Sequence, residues 1–417
     1  MEPVLTPDQE QAKNLICDWF KNSDCQIFVL GGYAGTGKTF LVNYVVTKVL
    51  GLRDGAEAVF VSPTGKAASV LIKNGTVAGT IHGLIYYREK EEMEVDENGE
   101  IINAGKLTFR HRTSIDESIR LIVVDETSMV NEEILRDLLG FGVKCLFCGD
   151  NAQLPPVNGM CPLLSSASYT LTQIVRQEQD NPIVEIATMA REGRVIPYGT
   201  YGEKVVVMPR SRFRGAERKR LMLKADQILC GTNRTRAMLN AEMRGYLGIS
   251  EENLLPVDGE KLVCTMNDWE KPLDDEERFH LVNGIIGRAK NIKVGFDLIG
   301  LMDFSPEIFP GEVSVPFDTS VFETGVYAHG YNDRAVILSD GQVVHERNKA
   351  LLRKMKAVSD EPICRFEFAY AITCHKAQGS EFDFVIVFDE SFAFGDERHK
   401  WLYTAITRAK DKLLIVR

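Results

Sequence analysis

Apolar residues along this chain gather into short runs, several of them β-branched, and each run ends at a glycine, a carboxylate or a turn residue. "QIFVL" (26–30), "AVFVS" (58–62), "LIVVDE" (121–126), "KCLFCGD" (144–150), "DQILCGT" (226–232) and "FVIVFDE" (384–390) have this form. Strands buried on both faces, as in a parallel sheet, read as continuous apolar runs of this kind. Helix-period patterns follow several of them, in "KTFLVNYVVTKVL", after "SPTGKAA" and in "TRAMLNAEMRGYLG". Two stretches break the rhythm. Residues 86–112 place charged, extended segments around Asn98-Gly99, a hairpin turn signal. Residues 271–360 hold short β-like runs such as "LVNGIIGRAKNI", "SVPFDTSVF" and "DRAVILSDGQVVHE", with turns at Asn-Gly and Asp-Gly. The pattern predicts an α/β protein of parallel-sheet units interrupted by a hairpin and by a small β domain.

Composition narrows this picture. The 417 residues, 44% hydrophobic and 26% charged, suit a water-soluble chain of about three domains at ~150 residues each. No uncharged apolar run approaches a membrane span, and the acidic, polar start "MEPVLTPDQEQAKN" is unlike a secretory signal, so the expected location is the cytoplasm. Nine scattered cysteines fit reduced core thiols. Cys145 and Cys148 form a lone CxxC inside an apolar strand and lack the second ligand pair of a zinc ribbon. Net charge is −10, so any nucleic-acid surface must be local. The basic clusters "PRSRFRGAERKR" (209–220) and "FRHR" (109–112) suit either such a surface or a solvated face.

The chemistry concentrates at the strand ends. From Gly32 to Thr39 the chain reads GxxxxGKT, with a strand before it and a helix after it. Backbone amides of Gly32, Tyr33, Ala34, Gly35, Thr36 and Gly37 wrap phosphates, Lys38 reaches the terminal phosphates, and the Thr39 hydroxyl suits Mg²⁺. Asp125 and Glu126 emerge where another central strand ends. Asp125 suits the Mg²⁺ shell, and Glu126 suits the polarisation of a water attacking the γ-phosphate. Gln153, in "GDNAQLPPV", brings a neutral amide to the same edge.

In their order the motifs resemble the superfamily-one helicases, within them the 5′-to-3′ RecD-like and Dda-like branch. "LTPDQEQA", "GYAGTGKT", "SPTGKAA", "TIHGL", "VVDETSM", "GDNAQLPPV", "LTQIVRQ", "CGTNRTRAMLN", "GEKLVCTMND", "LVNGIIG", "AITCHKAQGSEFDFV" and "LYTAITRAKDKLLIV" cover most of the chain. The resemblance implies two RecA-like parallel-sheet motor domains, the first at 1–85 and 113–175 and the second at 176–270 and 361–417. It also implies an inserted pin at 86–112 and an inserted SH3-like β domain at 271–360. Gln9 then reads adenine, while a helix capped at Thr6 explains the same residues structurally. Arg176 and Arg408 become the arginines that reach the γ-phosphate, and Thr404 and Arg408, four apart, suit one helical face. Pro63, Thr64, Lys66 and His82 become DNA contacts of the first domain. Phe109, ahead of Tyr86 and Tyr87, becomes the aromatic at the pin, and Phe317, Phe322, Tyr327 and Tyr331 suit either DNA contact or core.

One further stretch, "HKAQGSEFDFVIVFDE" (375–390), is a polar cluster far in sequence from the phosphate loop. By the resemblance, Thr373, His375 and Lys376 grip the DNA backbone while Gln378, Gly379 and Glu381 face the nucleotide. The turn then couples ATP state to DNA grip. Departures from the family pattern are Tyr33, where many relatives carry proline, and Phe40, where a second threonine is frequent. The start so near the adenine-reading segment fits a compact Dda-like layout without an extra amino-terminal domain. The resulting expectation is an ATP- and Mg²⁺-dependent DNA helicase, monomeric and off the membrane, in replication, recombination or repair. Its partners would be single-stranded DNA, forked duplex and single-strand-binding or replication and recombination proteins. Two other readings stay open: a RecD-type subunit of a larger exonuclease complex, and a DNA-stimulated ATPase switch that does not unwind.

Overall fold

The computed structural model describes residues 3–90, 94–95, 101–103, 107–155, 163, 166–175, 181–273, 280–308, 310–330, 333–348 and 357–417. The chain divides into two compact units. One comprises 1–85, 112–239 and 371–417, and the other 86–111 and 240–370.

The first unit contains two six-stranded sheets. In one, the strands lie in the order Tyr169–Leu171, Ile27–Gly32, Lys144–Gly149, Leu121–Val124, Ala58–Ser62 and Ala78–Thr80, all parallel. The central runs are buried on both faces, as their continuous apolar sequences require. One face packs Phe28, Leu30, Phe60, Val123 and Leu146 against Ile16 and Trp19 of the helix Pro7–Asn22 and Leu41 and Val42 of the helix Lys38–Tyr44. The amino-terminal helix starts with a capping box. Thr6 Oγ1 accepts from Gln9 N (3.2 Å) and Gln9 Oε1 accepts from Thr6 N (3.0 Å), an arrangement of about 1 kcal/mol. Its far end is closed by Lys144, whose Nζ donates to the Trp19 carbonyl at 3.1 Å, so the helix that carries Gln9 is fastened to the sheet.

The second sheet has the order Gly199–Tyr201, Val205–Met208, Ala409–Val416, Phe382–Phe388, Gln227–Cys230 and Ala371–Thr373. Only the first pair is antiparallel. The two sheets therefore repeat one α/β plan. Cys145 and Cys148 are buried in the first, and burial pushes both thiols up, the Cys145 thiol to about 12.

The second unit is β-rich. Val313–Asp318, Ile299–Pro306, Ile286–Val294, Lys261–Cys264 and Phe366–Phe368 form an antiparallel five-stranded sheet, and Val343–His345, Arg334–Leu338 and Ala357–Pro362 a three-stranded one. This unit reaches beyond the 271–360 expected from sequence. Lys261–Cys264 is a short, fully buried run that reads like a motor strand, yet it pairs antiparallel with Ile286–Val294. A buried ion pair, Arg244 Nε to Glu260 Oε1 at 2.8 Å, holds the entry to that strand. Of the aromatics read here, Phe317 is buried against Phe322, Phe322 packs on Phe368, and Tyr327 Oη lies 2.8 Å from Thr265 Oγ1. All three have internal partners. Tyr331 lies outside the described residues. The hairpin pairs Tyr86–Lys90 with Leu107–His111, Phe109 standing opposite Arg88, while Asn98-Gly99 lies outside the described residues. Among the described residues no helix is long and apolar enough to cross a membrane.

Candidate nucleotide site

At the carboxyl edge of the first sheet, Gly37 takes φ +73°, a conformation that glycine adopts without strain, and precedes the helix Lys38–Tyr44. A Cβ there would lie 2.7 Å from Gln9 Nε2, so a side chain at this position would have to displace the Gln9 amide as well as strain the backbone. Gln9 is buried, and its Nε2 donates to the Thr36 carbonyl at 3.0 Å. The same side chain thus caps its helix and ties down the phosphate loop. Thr36 Oγ1 donates to the Tyr33 carbonyl (2.8 Å), and Lys38 Nζ donates to the carbonyls of Gly32 (2.6 Å) and Tyr33 (3.1 Å). The helix start carries no side-chain cap, which leaves its amides available to an anion.

Asp125 and Glu126 follow the strand Leu121–Val124. Thr39 Oγ1 lies 3.4 Å from Asp125 Oδ2, and Asp125 Oδ1 accepts from Glu126 N at 3.0 Å. Glu126 has φ +53°, strained for a residue with a side chain and worth about 1 kcal/mol or more. Burial raises the Asp125 carboxyl. Glu126 stands raised to about 6, by burial first and also by the neighbouring Asp125, against the opposing charge of Arg408. Gln153 is 9% exposed, and its Oε1 has no hydrogen-bond partner among the described residues. These groups line one cleft of about 660 Å³ together with Tyr33, Ala34, Gly35, Gly379, Glu381 and Arg408.

The second sheet supplies the opposite wall. Arg408 is 4% exposed. Its guanidinium donates to the carbonyls of Thr404 and Ser380 and to Thr407 Oγ1, each at 3.1 Å. The helix Arg398–Ile406 ends before Arg408, so carbonyl contacts, and not a shared helical face with Thr404, aim the arginine. Thr404 Oγ1 accepts from Leu154 N (2.9 Å), and Gln378 Nε2 donates to the Leu154 carbonyl (2.9 Å). Gly379, φ +70°, would bring a Cβ to 3.1 Å from Ala67 Cβ. Glu381 is exposed and pairs with Lys410 at 3.4 Å. Arg176 lies outside the described residues. Sequence reasoning missed Tyr403, Asp150 and Arg191, which also border the loop: Tyr403 Oη accepts from Ala34 N (2.8 Å) and the Arg191 guanidinium lies 3.6 Å from the Tyr33 ring centroid.

The residues read as DNA contacts are spread along both sheets. Thr64 caps the helix Gly65–Lys73 through Ala67 N (3.2 Å), beside half-buried Pro63. Lys66 is buried, its Nζ 5.4 Å from the Phe382 ring centroid. His82 sits on the short helix Ile81–Ile85, held below its ordinary value by burial. Thr373 ends a strand of the second sheet, and His375 and Lys376 occupy the turn after it. The His375 ring lies 5.7 Å from that of Phe394 and burial lowers its value. Burial, then the nearby Arg236, brings Lys376 down to about 8. Tyr87 is exposed, whereas the Tyr86 ring meets His111 edge-on at 5.9 Å. In the basic stretch 209–220, Arg212, Arg214 and Arg220 are exposed. Arg210 there donates to the Asp389 carbonyl (3.1 Å), and Arg218 covers the rings of Phe213 and Phe388.

Residues 4–205 match the AAA domain family AAA_30, and residues 368–416 match the UvrD-like helicase C-terminal domain. The chain is 27% identical over 395 residues to the ATP-dependent RecD2 DNA helicase of Deinococcus radiodurans, a match covering 93% of this chain and 46% of that one. It is 25% identical over 417 residues to the ATP-dependent DNA helicase Pif1 of Campylobacter jejuni, covering 92% and 86% of the two chains. The chain thus spans less than half the length of the RecD2 relative. Among solved structures, Bacteroides Pif1 bound to ssDNA matches with TM-score 0.53 at 18% identity, over 99% of this chain and 92% of that one. Candida albicans Pif1 matches with TM-score 0.52 at 16% identity, over 100% and 95%. These structures share the fold.

Proposed function

We propose that the chain is a superfamily-one helicase, similar in sequence to RecD2 and Pif1 helicases, and that it is an ATP-driven motor that moves 5′ to 3′ on single-stranded DNA and unwinds duplex. The observation that carries the reading is Arg408. It comes from the second sheet yet lines the cleft of the phosphate loop and acts electrostatically on Glu126. An isolated nucleotide switch needs no second α/β half; a motor needs one that senses the nucleotide.

In this reading Lys38 turns from the Gly32 and Tyr33 carbonyls to the terminal phosphates, and the uncapped helix start holds the phosphate negative charge. Thr39 and Asp125, hard oxygen donors 3.4 Å apart, fit Mg²⁺, which when bound neutralises phosphate charge. Glu126, deprotonated above a pH of about 6, accepts the proton of an attacking water that the Gln153 amide orients. Arg408 and Arg176 meet the charge spread over the γ-phosphate oxygens. Gln9 reads adenine and Glu381 the ribose. Pro63, Thr64, Lys66, His82, Thr373, His375 and Lys376 hold the DNA backbone without reading bases. The 86–112 hairpin is a pin presenting Phe109, and the 271–360 segment is an SH3-like domain. The motor works as a cytoplasmic monomer on single strands and forks, in replication, recombination or repair.

Strand displacement on duplexes with either a 5′ or a 3′ single-stranded tail tests this. Unwinding is expected from 5′ tails alone and is lost in Lys38→Ala. Unwinding from 3′ tails alone overturns the polarity, and ATP hydrolysis indifferent to single-stranded DNA overturns the motor.

A further inference from the structure

The tip of the phosphate loop is held by a group that the chemistry above leaves unused. Ala34 N donates to the Tyr403 hydroxyl at 2.8 Å, and the same hydroxyl donates to Asp150 Oδ2 at 2.5 Å. Both side chains are 1% exposed. A phenol has one proton, and here it goes to the carboxylate while an oxygen lone pair receives the amide, so both partners are fixed. Burial and the charge of Asp150 hold the phenol up, well above its ordinary value, so it stays a donor at any ordinary pH. Asp150 follows the strand Lys144–Gly149 and lies three residues before Gln153; its Oδ1 accepts from Ala152 N at 3.0 Å, within that turn. Tyr403 lies in the helix Arg398–Ile406, five residues before Arg408. Next to Ala34, the Tyr33 ring is covered by Arg191, from the helix Pro182–Arg191. One buried hydroxyl therefore joins the loop tip, the turn of Gln153 and the helix that leads to Arg408.

We propose that Tyr403 is a positioning residue that registers the phosphate-loop tip and the Gln153 turn against Arg408, so that the arginine meets the γ-phosphate only when the tip is seated. The inference rests on the motor reading and assigns Tyr403 no contact with substrate. It acts through Ala34 and Asp150.

Tyr403→Phe keeps the ring and removes only the hydroxyl, leaving a buried amide and a buried carboxylate without their partner. Hydrolysis of ATP with single-stranded DNA is measured per molecule competent to bind fluorescent ADP, beside the melting temperature. Relative to the wild type, Tyr403→Phe is expected to lower kcat roughly ten- to a hundredfold with KM for ATP changed less than about threefold. Adding Asp150→Asn removes the stranded charge. In that double variant the melting temperature recovers, while kcat stays low. Recovery of kcat together with melting temperature, or a kcat in Tyr403→Phe within about twofold of the wild type, overturns the role. If Tyr403→Phe alone fails to fold, kcat of the double variant decides between the same two outcomes. A wild-type chain that binds ATP but never hydrolyses it with DNA sinks the motor reading, and this role with it.

Discussion

Both six-stranded sheets offer helix starts along a carboxyl edge, and the two edges treat that positive charge differently. In the first sheet the helix beginning at Lys38 has no side-chain cap, and the loop before it lies open to the cleft. In the second, the turn that opens the helix Asn233–Tyr246 is filled by the chain's own carboxylate. Glu390 accepts from Gly231 N (2.8 Å), Thr232 N (3.1 Å) and Thr235 Oγ1 (2.6 Å), and is 7% exposed. A helix start is an anion site by construction. In the second sheet an internal glutamate already occupies that place, which in the proposed reading leaves the first sheet to take the phosphate. In the proposed motor the second sheet contributes an arginine, Arg408, and the turn 375–381 to a site that the first sheet builds.

The largest test of this division is Arg408→Ala. If the second sheet acts on the nucleotide only through its arginine, turnover falls by about 10³ or more, the scale of an external arginine in phosphoryl transfer. Affinity for ATP, measured by fluorescent-nucleotide titration, changes much less, because the binding amides belong to the first sheet. A parallel collapse of affinity would mean that Arg408 builds the pocket and does not serve turnover.

Next in size is Glu390→Ala, which empties the self-filled site. Three hydrogen bonds to a buried carboxylate are lost and two amides are left without acceptors, so the cost in stability is about 2 kcal/mol or more. A denaturant midpoint, read at unchanged slope, measures it. If inorganic phosphate restores the midpoint in the variant and does nothing to the wild type, the equivalence of the two helix starts is demonstrated; a midpoint unmoved by the substitution breaks the comparison.

How much of this is legible in the sequence follows from where each signal lives. The phosphate loop, Asp125, Glu126 and the strands behind them are written locally, as apolar runs closed by residues with one chemical use. The strand Ala58–Ser62 reads from sequence with the bounds it has in the fold. Lys261–Cys264 carries the same apolar signature, but a short buried run does not say which sheet it joins, so its pairing with Ile286–Val294 and Phe366–Phe368 is read only from the fold. Thr404 and Arg408 are spaced for a helix that in fact stops at Ile406. Tyr403, Asp150, Arg191 and Glu390 carry no local signal of their role. Their partners lie 369, 253 and 159 residues away for the bonds of Tyr403 to Ala34, Tyr403 to Asp150 and Glu390 to Gly231, and only the closed fold reveals such pairs.

The smallest effect probes the turn that faces DNA in this reading. Burial and Arg236 lower Lys376 to about 8, whereas an ordinary lysine keeps its proton well past the range of most assays. The sign follows directly. Below about 8 the amine is charged and holds a phosphate; as pH rises through that value the free protein loses the charge, and affinity for DNA falls. His375, held low by burial, is already neutral there and adds nothing to the change. Fluorescence anisotropy with a labelled oligothymidine should show binding weakening by roughly three- to tenfold between pH 7 and 9, the scale of one phosphate contact at moderate salt. Lys376→Arg, charged throughout, should bind as well at pH 9 as at pH 7, while Lys376→Ala should lower the salt dependence by about one contact at pH 7. A wild-type affinity flat across this range, or a Lys376→Arg variant that keeps the pH dependence, would remove Lys376 from the DNA path and leave the turn facing the nucleotide alone.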